Sequence, residues 1–510
     1  MTTDEQASAG AWSGTQALWT RPQAVPTAPL PDEVDVLVVG AGITGLTTAV
    51  KAAESGARVA VLEGREVGGG STGRSTGKVT SQHGLRYAML ERDHGEEVAR
   101  AYGAANEQAL RIVDDLAERY GIACDLRTVG HRVYTADDRR TDEFTAEDRA
   151  ARRAGLPVED GPELDLPVEP AAVVAFRDQR ELDPGAYAGG LARALVELGA
   201  TVHEHTRAVR VRVTGDRVRV GTDHAEIVAR RVVLATLLPP LDRALGFAQQ
   251  RPTRAYGVAL RVDGGLPTDG AWQSDGATRS IRRATTPDGD PRLVVVGEEH
   301  QVGHDPHPRK RISALARYAE RYWHVRELTH WWSAQDYEPV DSLPMVGPVD
   351  GDGRLWVACG FSKWGLSAGT HAGWSIARQL AGEEVPHTAH LRRPGRVGLR
   401  HPGALLGFNL HSGKRFLGDR LTARRNVTSL EPGQGAVVRD ADGLTAVHRR
   451  DDGSVCRLAA HCTHLGCVVA WNELERSWDC PCHGSRFSAE GEVLEGPATS
   501  ALTRRSPRDR

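Results

Sequence analysis

Val34-Asp35-Val36-Leu37-Val38-Val39-Gly40-Ala41-Gly42-Ile43-Thr44-Gly45 is an apolar run that ends in three spaced glycines. The run has the length and texture of a buried strand, and the segment from Leu46 to Glu54 has helical apolar spacing and stops at Gly56. A second apolar strand, Arg58 to Leu62, is closed by Glu63. Strand, G-x-G-x-x-G, helix, strand and acid form the arrangement that binds a dinucleotide. Gly40 permits the tight turn, Gly42 lets the backbone approach a pyrophosphate, and Gly45 lets helix and strand pack closely. The helix start then offers unpaired N–H groups and its dipole to the phosphates. Glu63 is placed to accept from ribose hydroxyls. The bland alternative is a βαβ unit without a ligand.

The chain is 510 residues long, more than one core supports, so two or three domains are expected. A formal net charge of −3 argues against a nucleic-acid partner or an anionic membrane. Arg outnumbers Lys 59 to 5, which we read as codon bias before chemistry. The stretch Val34 to Ala53 is interrupted by Asp35 and Lys51, so no membrane span is expected, and the first residues lack the basic and apolar regions of a secretory signal. We expect a cytoplasmic protein. Residues 1–33 have no period and predict a flexible arm. Residues 34–390 mix strands and helices, which predicts an α/β nucleotide-binding domain with an inserted mixed-sheet substrate domain. Residues 391–428 predict a basic linker, with nine Arg or Lys against Asp419 in 391–425. Residues 429–510 predict a small all-β domain.

Three features favour FAD over a nicotinamide cofactor in the first domain. No second G-x-G-x-x-G follows in mid-chain. A Gly/Ser/Thr-rich loop, Gly68 to Gly77, follows the second strand and can wrap a long cofactor, with Ser71, Thr72 and Arg74 as donors. A late segment reads Asp341-Ser342-Leu343-Pro344-Met345-Val346-Gly347-Pro348 and continues in Ala358-Cys359-Gly360-Phe361-Ser362-Lys363-Trp364-Gly365-Leu366-Ser367. Over roughly residues 34–385 the chain resembles the D-amino-acid oxidase-like (DAO) FAD-dependent oxidoreductases. The resemblance implies a Rossmann-like fold and places Gly365, Leu366 and Ser367 at a helix start facing the flavin. It also makes Lys363 and Trp364 floor or wall residues of a substrate pocket, unless both merely pack.

Seven cysteines are unevenly placed. Cys124 and Cys359 read as buried structural thiols, whereas Cys456, Cys462, Cys467, Cys480 and Cys482 crowd together. Cys462-Thr463-His464 and, fifteen residues on, Cys480-Pro481-Cys482-His483 give two Cys and two His. That set suits a [2Fe–2S] centre with two thiolates on one iron and two imidazoles on the other. Zinc is the competing ligand for the same residue types. Both segments resemble the loops of the Rieske domain, which makes Cys462, His464, Cys480 and His483 the metal ligands. The bc-type subgroup implies a disulfide between Cys467 and Cys482, and Gly496-Pro497-Ala498 resembles the third loop over the cluster. Ser485 matches a serine that donates to a cluster sulfur. Phe487 stands where high-potential members have Tyr, so a lower potential is expected.

Together the two parts resemble a bacterial family of FAD-dependent oxidoreductases fused to C-terminal Rieske domains, a likeness that includes Trp331 to Asp336 and Trp471 to Glu475. The implied activity is oxidation of a small-molecule substrate, an amine or amino acid, with electrons passing between FAD, the [2Fe–2S] cluster and an external acceptor. The competing readings are a reductase or monooxygenase-like enzyme fed through the cluster by an external donor, and a non-enzymatic electron-transfer or redox-sensing protein. His300, Lys363 and Trp364 are the catalytic candidates, with Arg254 and Tyr256 as further pocket residues. His300, His304, Asp305 and His307 could hold a mononuclear iron but read better as a polar loop between a strand and a helix.

Overall fold

The computed structural model describes residues 16–240, 246–276, 278–304, 307–388, 390–391, 430–441 and 443–506. The strand Glu33–Val39 lies inside a sheet, paired in parallel with Val59–Leu62 on one side and Glu226–Leu234 on the other. Buried on both faces, it is a nearly unbroken apolar run, as a covered parallel strand must be. Thr201–His203 extends the sheet beyond Val59–Leu62, and Leu355–Cys359 and Met345–Pro348 extend it beyond Glu226–Leu234. Helices Ile43–Glu54 and Gly365–Leu380 pack against each other and cover this layer.

A second sheet runs in the order His324–Pro339, Gln250–Asp263, Pro291–Gln301, Arg279–Thr285, Gly270–Gln273, Arg127–Thr135, Ala172–Glu181 and Lys78–Val79. Its strands interleave in sequence with those of the first sheet, so this domain is inserted rather than appended. The third unit is all-β, with a three-stranded sheet, Gly435–Asp440, Gly443–Arg449 and Val455–Ala459, beside four short strands from Ala470–Asn472 to Val493–Glu495. The fold is α/β with a mixed-sheet insertion and a small all-β domain.

Two expectations need correction. Part of the predicted arm is docked: Leu18 and Trp19 are buried, and the Trp19 indole donates to the Ser75 carbonyl at 2.8 Å. His300 belongs to the strand Pro291–Gln301 and not to a loop. The basic linker lies outside the described residues apart from Leu391, as does Asp305. Among the described residues no helix is long and apolar enough to cross a membrane.

Candidate functional site

One cavity opens at the carboxyl ends of the parallel strands, where Val39, Leu62, Ala235 and Ala358 line it, the position at which open α/β sheets bind ligands. Gly40 has φ +108, and a Cβ there would stand 2.5 Å from the Ala235 carbonyl oxygen. A methyl on Gly45 would overlap the Gly40 carbonyl. These two close approaches bring the start of helix Ile43–Glu54 to the cavity wall, where Gly42 and Ile43 face inward. Thr72 accepts from the Ile43 N–H at 3.0 Å and so ties the Gly-rich loop over that helix start. Glu63 accepts from the N–H groups of Ala41 and Arg65, both at 2.8 Å, and still lines the cavity. Arg65, Arg74 and Arg207 add positive charge at this end.

The other end is built by the second sheet and the start of helix Gly365–Leu380. Gly365 and Leu366 line it, so two helix N-termini serve one cavity. Ser362 and Lys363, just before that helix, both hold left-handed backbone, φ 50 and 77, an uncommon strain that the Lys363 N–H to Asp336 hydrogen bond helps to hold. Burial pushes the Asp336 carboxyl up to about 6. Trp364 is stacked on His83, with ring centres 4.4 Å apart, and lies beside Trp272 at 5.3 Å. Burial and then Arg86 hold His83 well below the usual imidazole range, so it is a neutral support. Lys363 pairs with Glu299 and, at 3.7 Å, with Glu338. Lys78 is buried and bonded to His131 Nε2 at 3.1 Å and to the Ala271 carbonyl at 2.9 Å. Burial lowers its ammonium to about 7, against the pull of Glu181.

The C-terminal unit brings the two loops with the expected ligands together. The Cys462 and Cys480 thiols contact each other, and the His464 and His483 rings stand 5.2 Å apart at 87°. Cys467 and Cys482 form a disulfide that joins the loops. The sulfurs of Cys467, Cys480 and Cys482 lie within 4.8 Å of one another, but two of them are committed to that disulfide, so the trio is not a ligand set. Two thiols facing each other beside two facing imidazoles fit a [2Fe–2S] cluster with mixed ligands. The two imidazoles differ in exposure: His483 is 7% exposed, whereas His464 is half-buried next to exposed Leu465.

The two sites share a wall. Gln335 and Asp336 line the cavity. The Gln335 amide donates to the Gly484 carbonyl at 2.7 Å, and the next-but-one residue, Tyr337, donates to the His483 carbonyl at 2.9 Å. A Cβ on Gly484 would come within 2.7 Å of Gln335, Pro252 and Tyr337, so the ligand loop sits as close to this strand as a backbone can. Around this contact lies a buried ionic network. Arg254, fully buried, donates to Glu475 at 2.9 and 2.5 Å; Arg486 donates to Glu475 at 2.6 Å and to Asp479 at 2.9 Å; Glu495 lies within 3.8 Å of Arg65, Arg74, Arg254 and Arg486.

The profile of the FAD dependent oxidoreductase family, DAO, matches residues 35–379. The chain belongs to that family. The Rieske [2Fe-2S] domain profile matches residues 422–505 of the same FAD-dependent oxidoreductase. The oxidoreductase is 28% identical over 476 residues to the Rieske 2Fe-2S iron-sulfur protein YhfW of Bacillus subtilis, covering 92% of this chain and 93% of that protein. Its C-terminal unit is 54% identical over 54 residues to the cytochrome b6-f complex iron-sulfur subunit of a Synechococcus strain, which is 10% of this chain and 31% of that one. Its fold is similar to glycine oxidase from Geobacillus kaustophilus, with TM-score 0.58, 19% identity, and coverage of 70% of this chain and 96% of that one. L-proline dehydrogenase from P. horikoshii is equally similar, with TM-score 0.58, 18% identity, and coverage of 72% and 98%. The FAD-dependent oxidoreductase thus carries FAD and a Rieske [2Fe–2S] cluster. The cavity residues fit the first through two helix starts, three guanidiniums and an acid. The loops fit the second.

Of the residues singled out in the sequence, Gly40, Gly42, Glu63, Ser71, Thr72, Arg74, Lys363, Trp364, Gly365 and Leu366 line the cavity. Gly45 and Ser367 stand behind it, Ser367 bonding His83 at 3.1 Å. Three pocket candidates are not brought there. His300 meets Tyr256, whose hydroxyl is 3.2 Å from its Nε2, while its neighbour Glu299 lines the cavity; Arg254 is spent on Glu475. A bulge between Arg254 and Tyr256 and the left-handed backbone of Glu298 shift the facing of these strands. The sequence reading missed Lys78, Trp272, Glu299, Asp336 and Glu495. One signal for Lys78 was present: two of only five lysines, Lys78 and Lys363, line this cavity in a chain that otherwise uses arginine.

Proposed function

We propose that the protein oxidises a small amine or amino acid at the Trp272–Trp364 end of the cavity and that the electrons leave through the Rieske domain to an external acceptor. The observation that carries this reading is the strand His324–Pro339, in which Gln335 faces the cavity and holds the Gly484 carbonyl of the cluster loop. When bound, FAD supplies hydride acceptance and the [2Fe–2S] cluster supplies one-electron transfer. The residues supply the rest. Trp272 and Trp364 give two apolar walls for an alkyl or aryl side chain and exclude water. Amine oxidation requires the neutral amine, and Lys78, with its ammonium lowered to about 7, can hold that proton at Nζ near neutral pH. Lys363 and Glu299 set a charged rim that selects polar, small substrates.

The half-buried His464 beside exposed Leu465 is the side on which an acceptor would dock, since His483 is buried and its main-chain carbonyl is held by Tyr337 of the flavin domain. We place the reaction in the cytoplasm; Cys467 and Cys482, 5% and 1% exposed, are shielded there from thiol exchange.

The test is anaerobic mixing of the holoprotein with a panel of amines and amino acids, followed by the flavin spectrum and low-temperature EPR. One class of substrate should bleach the flavin and produce the rhombic signal of a reduced His-ligated cluster, with faster turnover on a one-electron dye than on O2. A flavin that no amine bleaches, but that a reductant loaded through the cluster does, would reverse the direction of flow.

A further inference from the structure

The cavity is not closed by the flavin domain. Leu494, Glu495, Gly496, Ala498 and Thr499 of the Rieske domain form part of its wall, on the side of Glu63, Arg65 and Leu238. This segment is held from both directions. On the flavin side, Arg207 donates to the Val493 carbonyl at 3.0 Å, and Glu495 lies 3.8 Å from both Arg65 and Arg74. On the cluster side, the Ala498 N–H donates to Ser485 Oγ at 3.0 Å and Thr463 donates to the Ser500 carbonyl at 2.6 Å, so the segment is tied to both ligand loops.

We infer that the FAD site is split between the two domains: the Rieske segment Leu494–Thr499 clamps the adenosine diphosphate half of FAD against the nucleotide-binding fold. Leu494 and Thr499 contribute direct contact. Glu495 acts as a positioning residue, because its carboxylate, buried to more than nine-tenths, fixes the two guanidiniums that a pyrophosphate needs and keeps them from pairing elsewhere. The arrangement carries a thermodynamic consequence. A ligand that touches both domains stabilises their docking, and docking raises the affinity for the ligand by the same factor. FAD loading and seating of the cluster loops are therefore linked within one chain, although different residues hold the two cofactors.

The inference rests on FAD occupying this cavity, and the experiment separates that premise from the clamp. Full-length protein is stripped of FAD, and amide exchange is compared with and without added FAD. Peptides spanning 493–499 should exchange about tenfold more slowly with FAD, together with those spanning 40–45. Protection of 40–45 without any change at 493–499 overturns the clamp. No protection of 40–45 overturns the premise itself. In parallel, a Leu494→Ala/Thr499→Ala variant with an unaltered cluster EPR signal should bind FAD about tenfold more weakly by flavin fluorescence. An unaltered dissociation constant in that variant also overturns the clamp. If the variant disturbs the cluster signal, the wild-type exchange result decides.

Discussion

The Tyr337 hydroxyl donates to the main-chain carbonyl of His483, a residue of the cluster loop 146 positions away, at 2.9 Å. Tyr337 is fully buried, so Tyr337→Phe removes this hydrogen bond from the carbonyl, a loss of about 1–3 kcal/mol for a buried group. Hydrogen exchange in the loop Cys480–Ser485 should quicken by roughly five- to a hundredfold or more, with the flavin domain unaffected. Equal exchange in wild type and variant would mean that the loop is held without this bond.

The ionic network between the domains should behave as a buried one. Arg254 and Glu475 are 0% and 6% exposed, so Glu475→Gln should lower stability by about 3–5 kcal/mol. Arg100→Ala, which breaks an exposed pair with Glu96, should cost under about 1 kcal/mol. Urea titration followed by tryptophan fluorescence compares the two. Burial works against the charges of Glu475 and Glu495, but Arg254 and Arg486 hold both carboxyls below the usual range. Their stabilisation is thus complete above a pH of about 4.3 and is lost only as pH falls below it.

Lys78 gives the opposite kind of pH dependence. Its folded ammonium titrates at about 7 because burial disfavours the charge, while the unfolded chain holds the proton to a pH of about 10.4. Between these values the unfolded state binds more protons, so stability should rise with pH, by at most about 1.4 kcal/mol per unit. Lys78→Met should flatten the curve in that window. Urea midpoints measured across it for both proteins check this, and a slope that persists in the variant assigns it to another group.

Phe487 is fully buried in the Rieske core with Cys462 and Cys480. Phe487→Tyr adds a hydroxyl where a donor to the cluster is absent, and one hydrogen bond should raise the midpoint potential by about 20–60 mV. Potentiometric titration with EPR detection reads it; an unchanged potential would show that the hydroxyl turns away from the cluster.

What was legible in the sequence was local. Gly40, Gly42 and Gly45 must stand at fixed offsets because one turn imposes them, and Cys462, His464, Cys480 and His483 must because two short loops do. What was not legible depends on distant strands. Lys78 and Trp272 share a cavity across a sheet whose order no period reveals. Arg254 and His300 lie on strands that read as pocket walls, yet the bulge between Arg254 and Tyr256 breaks the alternation on which such counting relies. Trp19 sits in a segment with the composition of an arm, and it is docked by its indole bond to Ser75 and by its packing against Trp332 and Arg282.

Arg254 belongs to the flavin domain, but the carboxylates that balance it, Glu475 and Glu495, come from the Rieske domain. The sequence can be divided between the two units; the charge cannot. Arg254 finds its two balancing carboxylates only while the units are joined, so a chain cut between them exposes an unanswered cation on the flavin-domain face that the Rieske unit covers.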